Sequence, residues 1–269
     1  MKQSELNKKR IIDEIRSLAE KLNRKPVKRD DERLYQIARK YFKSWNNSLK
    51  LAGFEIKDKQ SPIMPDTKEN GFYYFLGLLI TDGHVVYDRG KNYQIKLYTS
   101  YEEEKEMIAK LIYFLFNYKP SIRKRKTGFS KRANYEIYIS SKDLCNFITN
   151  FSDIPSGAKS INVKVPNLLL SSDKSKIGGF IRGVIDGDGT ILKSSTAKIV
   201  SGSEGFLSGV KELLNKLGAK SGKICHEKEN LYTLWICGKD NLRKLRGALY
   251  ENSNSFFYSR KKDLWNQYI

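Results

Sequence analysis

Two short segments, FLGLLITDG at Phe75–Gly83 and IRGVIDGDG at Ile181–Gly189, hold the residues with the clearest capacity for chemistry. Each is an apolar run with a central glycine, Gly77 or Gly183, and a terminal Asp-Gly pair that presents Asp82 or Asp188. A glycine inside a helix costs about 1 kcal/mol relative to alanine, so its use at matching places implies that another backbone comes very close there. Two helices packed glycine against glycine meet that need and bring their C-terminal ends together. Asp82 and Asp188 would then sit near one another at the negative ends of two helix dipoles, an arrangement that repels itself. A divalent cation removes the repulsion, and carboxylate oxygens open to water and phosphate suit Mg²⁺, with Mn²⁺ as a substitute. One isolated Asp-Gly is more simply a helix stop with glycine in a left-handed cap. Repetition in two copies favours the metal pair. The run from Asp186 to Thr190 also opens like an EF-hand calcium loop, but Ile191 and Ala197 stand where that loop needs glycine and glutamate.

Metal held by two carboxylates can position a water, stabilise charge on a phosphoryl group and assist a leaving oxygen, the three needs of phosphodiester hydrolysis. With only His84 and His226 in the chain, a histidine-based nuclease has little to work with. The charge agrees with a phosphate substrate: 50 Lys+Arg against 30 Asp+Glu give +20 and a pI near 9.7, so the surface calls for an anionic partner. Nucleic acid leads. A membrane is not expected as partner, because the most apolar run, Phe72–Ile80, is too short to span one. Cys145, Cys225 and Cys237 form no C-x-x-C pair, which argues against a zinc knuckle, and the N-terminus lacks the apolar core of a secretory signal. The chain is expected to be intracellular, in a reducing compartment, and not secreted.

The elements that must position the two acids read as an α+β chain with an internal duplication. Residues 1–56 carry three short amphipathic helices, with Ile11, Ile15 and Leu22, then Leu34, Ala38 and Phe42, then Trp45 and Leu49 at helical spacing. Residues 57–69, with Pro62 and Pro65, read as a linker. Residues 70–156 and 174–269 then repeat one order, αββαββα, joined by a linker over 157–173. From Lys119 to Arg132 the first copy carries Arg123, Lys124, Arg125, Lys126, Lys131 and Arg132 with no acidic residue. On strands, Arg123 and Arg125 share one face and Lys124 and Lys126 the other, so one set can read guanines while the other meets phosphate or solvent. Lys193, Lys198, Lys220 and Lys223 are more scattered in the second copy. Unequal lobes imply a long, asymmetric target in double-stranded DNA, bound with steep salt dependence.

The paired motifs and the repeat order, over about Asn70 to Ile269, resemble single-chain LAGLIDADG homing endonucleases. The resemblance implies a pseudo-twofold monomer with saddle-shaped antiparallel sheets in the DNA major groove and the motif helices as its inter-lobe interface. It implies Mg²⁺ on Asp82 and Asp188, with the backbone carbonyls of Thr81 and Gly187 completing coordination. It also implies Lys or Gln near the end of the second strand of each half. Thr99 and Ser100, and Ser201 and Gly202, stand there instead. Lys96, Lys193 and Lys198 are the basic residues that could serve in their place, and Lys96, Lys198 and Lys223 join the expected DNA contacts. In the N-terminal segment, Asn23–Asp30 (NRKPVKRD), Tyr41–Leu49 (YFKSWNNSL) and Ala52-Gly53 are similar to the homing-endonuclease-associated repeat. That likeness implies DNA binding, with Lys28 and Arg29 as contacts. A Mg²⁺-dependent, site-specific endodeoxyribonuclease is therefore expected. A non-catalytic DNA-binding regulator and an intron RNA maturase on the same fold remain alternatives.

Overall fold

The structure is a computed structural model that describes residues 3–56, 60–88, 92–125, 134–157, 161–251 and 256–269. It divides into two units, Met1–Lys59 and Gln60–Ile269.

In the first unit α1 (Gln3–Leu22), α2 (Glu32–Phe42) and α3 (Trp45–Leu51) enclose Ile11, Ile15, Leu34, Ala38, Phe42, Trp45 and Leu49. Side chains fix where the later helices begin. The Asp31 carboxylate accepts the Leu34 N–H at 2.8 Å, and the Ser44 hydroxyl accepts the Asn47 N–H at 3.1 Å. Each satisfies a backbone donor that the first helical turn leaves without a partner. Between α1 and α2, Arg24 donates to both oxygens of Asp30 at 2.7 and 2.8 Å, and the Val27 N–H donates to the same carboxylate. These bonds, Arg24's first, hold the Asp30 carboxyl down at about 2. Lys28 and Arg29 lie exposed within this turn.

The second unit runs through the αββαββα order twice. The first pass is α4 (Asn70–Asp82), β1 (Gly83–Asp88), β2 (Asn92–Thr99), α5 (Glu102–Phe116), β3 (Ser121–Arg125), β4 (Asn134–Ser140) and α6 (Lys142–Ser152). The second is α7 (Lys174–Asp188), β5 (Gly189–Leu192), β6 (Thr196–Ser201), α8 (Glu204–Lys216), β7 (Ile224–Lys228), β8 (Leu231–Cys237) and α9 (Lys239–Tyr250), followed by α10 (Ser259–Tyr268). Each half forms a four-stranded antiparallel sheet, in the orders β1-β2-β4-β3 and β5-β6-β8-β7. This is the expected α+β duplication. A short 3₁₀ turn, Asn167–Ser171, interrupts the connection between the halves; it is too brief for periodicity to reveal.

Register makes the two halves comparable residue by residue. Gly83 pairs with Leu97 as Gly189 pairs with Ile199, and Thr99 pairs with Tyr135 as Ser201 pairs with Tyr232. Alternation turns Ile95, Leu97, Ile137 and Ile139 of the first sheet, and Ala197, Ile199, Leu234 and Ile236 of the second, into the core. The opposite faces stay open. The motif helices have no polar face. Residues Gly71 through Ile80 of α4 and Ile177 through Asp186 of α7 are buried, because each helix packs on its own half and on the other motif helix. Among the described residues no helix is long and apolar enough to cross a membrane.

Candidate active site and nucleic-acid face

The crossing of α4 and α7 is as tight as backbone allows. A Cβ added to Gly77 would collide with the Phe180 carbonyl oxygen and lie 2.9 Å from the Gly183 Cα. One added to Gly183 would collide with the Tyr74 carbonyl oxygen and lie 3.0 Å from the Gly77 Cα. The two glycines therefore face each other, as their helical positions predict. Gly83 and Gly189 do something other than the left-handed cap that an isolated Asp-Gly suggests. Their φ values, −130° and −83°, are ordinary. They are glycine because a Cβ would strike the Lys96 carbonyl oxygen at 2.5 Å in one case and the Ile185 carbonyl oxygen at 2.5 Å in the other. Each motif helix can thus pass directly into the first strand of its sheet.

Past the glycine crossing the helix ends stay together. Gly187 abuts the Thr81 side chain, and a Cβ there would lie 3.2 Å from Oδ2 of Asp82. The Asp82 carboxylate thus lies beside the residue that precedes Asp188. The two acids differ in setting: Asp188 is exposed, whereas Asp82 is half-buried and lines a cavity of about 420 Å³. Tyr98, Thr99, Ser100, Glu104 and Arg260 share that cavity. Among the described residues no group of three or more His, Cys, Asp or Glu is arranged to hold an ion. The donors these helix ends offer, carboxylate oxygens and backbone carbonyls, are hard and few, the chemistry of an ion that keeps several waters and leans on substrate phosphate. They do not fit a structural zinc, which wants four protein ligands.

Asp186, two residues before Asp188, is fully enclosed. Its Oδ2 accepts the Tyr74 hydroxyl and the Tyr258 N–H, each at 2.8 Å. Burial pushes its carboxyl up to about 6 against the pull of those bonds and of Arg182 and Lys261. Lys261, also buried, donates to the Gly189 carbonyl, and burial lowers its pKa. The C-terminal helix is thereby tied to the end of the second motif.

The basic residues expected to assist catalysis are not brought to the cavity. Lys96 and Lys198 occupy equivalent positions, in the rows His84–Lys96–Tyr138 and Thr190–Lys198–Trp235. Both face outward on the open sheets. Lys96 lies 3.7 Å from Glu136, and Lys198 lies over the Trp235 ring at 5.6 Å. Lys193 is exposed in the turn beyond β5, a strand's length from Asp188. Arg260, delivered by α10, is the basic side chain that lines the cavity; no local sequence signal marks it, because it arrives from the end of the chain.

The open face of the first sheet holds an ionic cluster. Glu136, 1% exposed, has Arg125 Nη2 at 2.8 Å and Arg123 Nη1 at 3.8 Å in addition to Lys96. Arg123 also stacks over Tyr138 at 4.7 Å. Lys124 does not join them. Alternation turns it to the helix-covered side, where its ammonium lies 5.9 Å over the Tyr135 ring. Lys126, Lys131 and Arg132 lie outside the described residues. On the second sheet the register places Cys225 where Arg123 stands and Thr233 where Glu136 stands, and Lys223 is exposed just before β7.

Comparison with known proteins places this architecture. Residues 6–55 match the homing endonuclease associated repeat, and residues 70–151 and 175–249, more than half of the chain, match the LAGLIDADG-like domain. A probable translation initiation factor IF-2 of Methanocaldococcus jannaschii is 28% identical over 71% of this chain, and a component of the A-type ATP synthase of Pyrococcus abyssi is 31% identical over 68%. The chain spans only 16% and 17% of the length of those two relatives. The homing endonuclease I-ApeI of Aeropyrum pernix is 26% identical over 64% of this chain and 77% of its own length. Among solved structures, I-DmoI in complex with DNA and Ca superposes with a TM-score of 0.56 at 22% identity, covering 73% of this chain and 97% of that one. With twin motif helices, two αββαββα halves and a family match over both, the chain belongs to the LAGLIDADG family and carries an N-terminal homing endonuclease associated repeat.

Proposed function

We propose that the chain is a site-specific endonuclease for double-stranded DNA, dependent on Mg²⁺ or Mn²⁺, that acts as an intracellular monomer on a long asymmetric site. The observation that carries this reading is the glycine-to-glycine crossing, beyond which the Asp82 carboxylate lies against Gly187, the residue before Asp188, where each motif helix enters its antiparallel sheet. Asp82 and Asp188, with the carbonyls of Thr81 and Gly187, would hold the metal. A divalent ion bound there would supply an activated water and stabilise charge developing on the phosphoryl oxygens. The protein's own work is to hold the duplex. Arg123, Arg125 and Lys96 on the first sheet and Lys198 and Lys223 on the second would meet base edges and phosphates in the major groove. Lys28 and Arg29 would add contacts from the N-terminal unit.

Matching segments within a translation factor and an ATP synthase component, proteins with unrelated work, fit a mobile sequence that inserts into host genes. The test begins by enriching duplexes from a randomised library by metal-free binding to the full chain. Adding Mg²⁺ should then cut both strands of the enriched duplex. Asp82→Asn plus Asp188→Asn should bind that duplex and leave it intact; retained cleavage would remove the assigned roles. Tight binding with no cutting by the wild type would point to a DNA-binding regulator instead.

A further inference from the structure

The strand position where a basic residue would be expected beside Asp82 is held by Thr99, and Thr99 is the start of a relay. Its hydroxyl donates to Oε2 of Glu104 at 2.5 Å, and Oε1 of Glu104 accepts from Arg260 Nη2 at 2.9 Å. Glu104 is 6% exposed, so this carboxylate has little freedom to turn elsewhere. The Arg260 guanidinium rests over the Tyr101 ring at 4.4 Å and shares with Asp82 the cavity described above. A planar guanidinium has five N–H donors, of which the relay uses one, and the Arg260 side chain keeps 41% of its surface open. The helix that carries it is anchored on both sides of residue 260, by the Tyr258 N–H on Asp186 and by Lys261 on the Gly189 carbonyl.

We infer that Arg260 is the residue that takes the scissile phosphate on the Asp82 side, with Glu104, Thr99 and Tyr101 as its positioning residues. This rests on the endonuclease reading, but the phosphate contact itself does not depend on cutting. Guanidinium geometry matches phosphate oxygens bidentately and keeps its charge at any working pH. The device is one-sided. α5 begins at Glu102 and α8 at Glu204, so the place of Glu104 is taken in the second half by Phe206, which is 1% exposed in the core. Among the described residues, the carboxylate that holds Arg260 thus has no counterpart at the matching position beside Asp188.

The experiment uses the full chain and a duplex enriched by metal-free binding, with each strand labelled separately. Arg260→Gln is expected to slow scission of one strand by about 10²–10³-fold and leave the other within a few-fold. It should also lower the slope of log K against log salt by about 0.9, the loss of one phosphate contact. Arg260→Lys should restore the slope but only part of the rate, because a point charge replaces a fork. Unchanged strand rates and slope in Arg260→Gln would overturn the assignment. If the wild type cuts neither strand, the endonuclease reading fails while the salt slope still decides the phosphate contact. Should Arg260→Gln not fold, Thr99→Val tests the same relay: it should slow the same strand by about 10-fold, and no change there would overturn the assignment.

Discussion

The two halves of the second unit share a backbone and differ in chemistry. Their strands pair in the same register and their motif helices meet through equivalent glycines, yet the open face of the first sheet is ionic where that of the second is nearly neutral. Lys96, Arg123 and Arg125 surround Glu136 in one half; Lys198, Cys225 and Thr233 occupy three of the matching positions in the other. Close approach constrains the crossing, because a Cβ at Gly77 or Gly183 has nowhere to go. A solvent-facing strand position has no such neighbour, so the duplicated copy is free to vary there.

That contrast can be broken most forcefully at the crossing. Gly77→Ala and Gly183→Ala should each cost at least about 3 kcal/mol in urea unfolding, since the new methyl meets backbone and not a movable side chain. Markedly unequal losses would show that the halves do not share the interface evenly. The sheets should behave in the opposite way. Arg123→Ala is expected to weaken binding to the enriched duplex by about 1–3 kcal/mol and relax base preference at one position, whereas Cys225→Ala at the matching position should stay within about 0.5 kcal/mol in the same competition assay. Equal effects would contradict the asymmetry. Glu136→Thr gives the first sheet the side chain of the second and removes the counter-charge beneath three cations. Its cost in denaturant titrations should be about 1–2 kcal/mol, because Arg123 and Arg125 are half exposed and water screens them, and it should shrink with salt. The smallest effect lies outside both halves. Asp30 has a depressed pKa, so its stabilisation is present above the ordinary carboxyl range and lost as pH falls through about 2. Asp30→Asn should flatten the acid limb of the N-terminal unit's melting curve and leave the remaining transition unchanged.

The elements and their order could be read from the sequence because each rests on local patterns: glycine within an apolar helix, alternation along β2 and β4, an apolar stripe on α5 and α8. The meeting of the motif helices was legible for the same reason, since a paired glycine has few other uses. What escaped depends on register or on distant chain. Glu136 stands in NYEIYIS at a position whose alternation with Ile137 and Ile139 already turns it outward, but only the pairing Arg123↔Glu136 brings it under the basic residues. Alternation already separates Lys124 from Arg123 and Arg125, but which of the two faces the helices cover follows only from the packed fold. Arg260 lies in a closing helix with no pattern of its own, and its approach to Asp82 follows from the bond between Asp186 and the Tyr258 backbone.

That last bond affects how such a protein can be inherited. Arg260 belongs by sequence to the second half and by contact to the first, through Glu104. Genetic exchange that joined this first half to another protein's second half would leave Glu104 buried without its cation. The hybrid would keep every strand and both acids. The half-domain is thus not a freely exchangeable unit: the last helix is held by Asp186 and Gly189 of the second half while its Arg260 serves Glu104 of the first, so a chimera needs a second half whose last helix also brings a cation to Glu104.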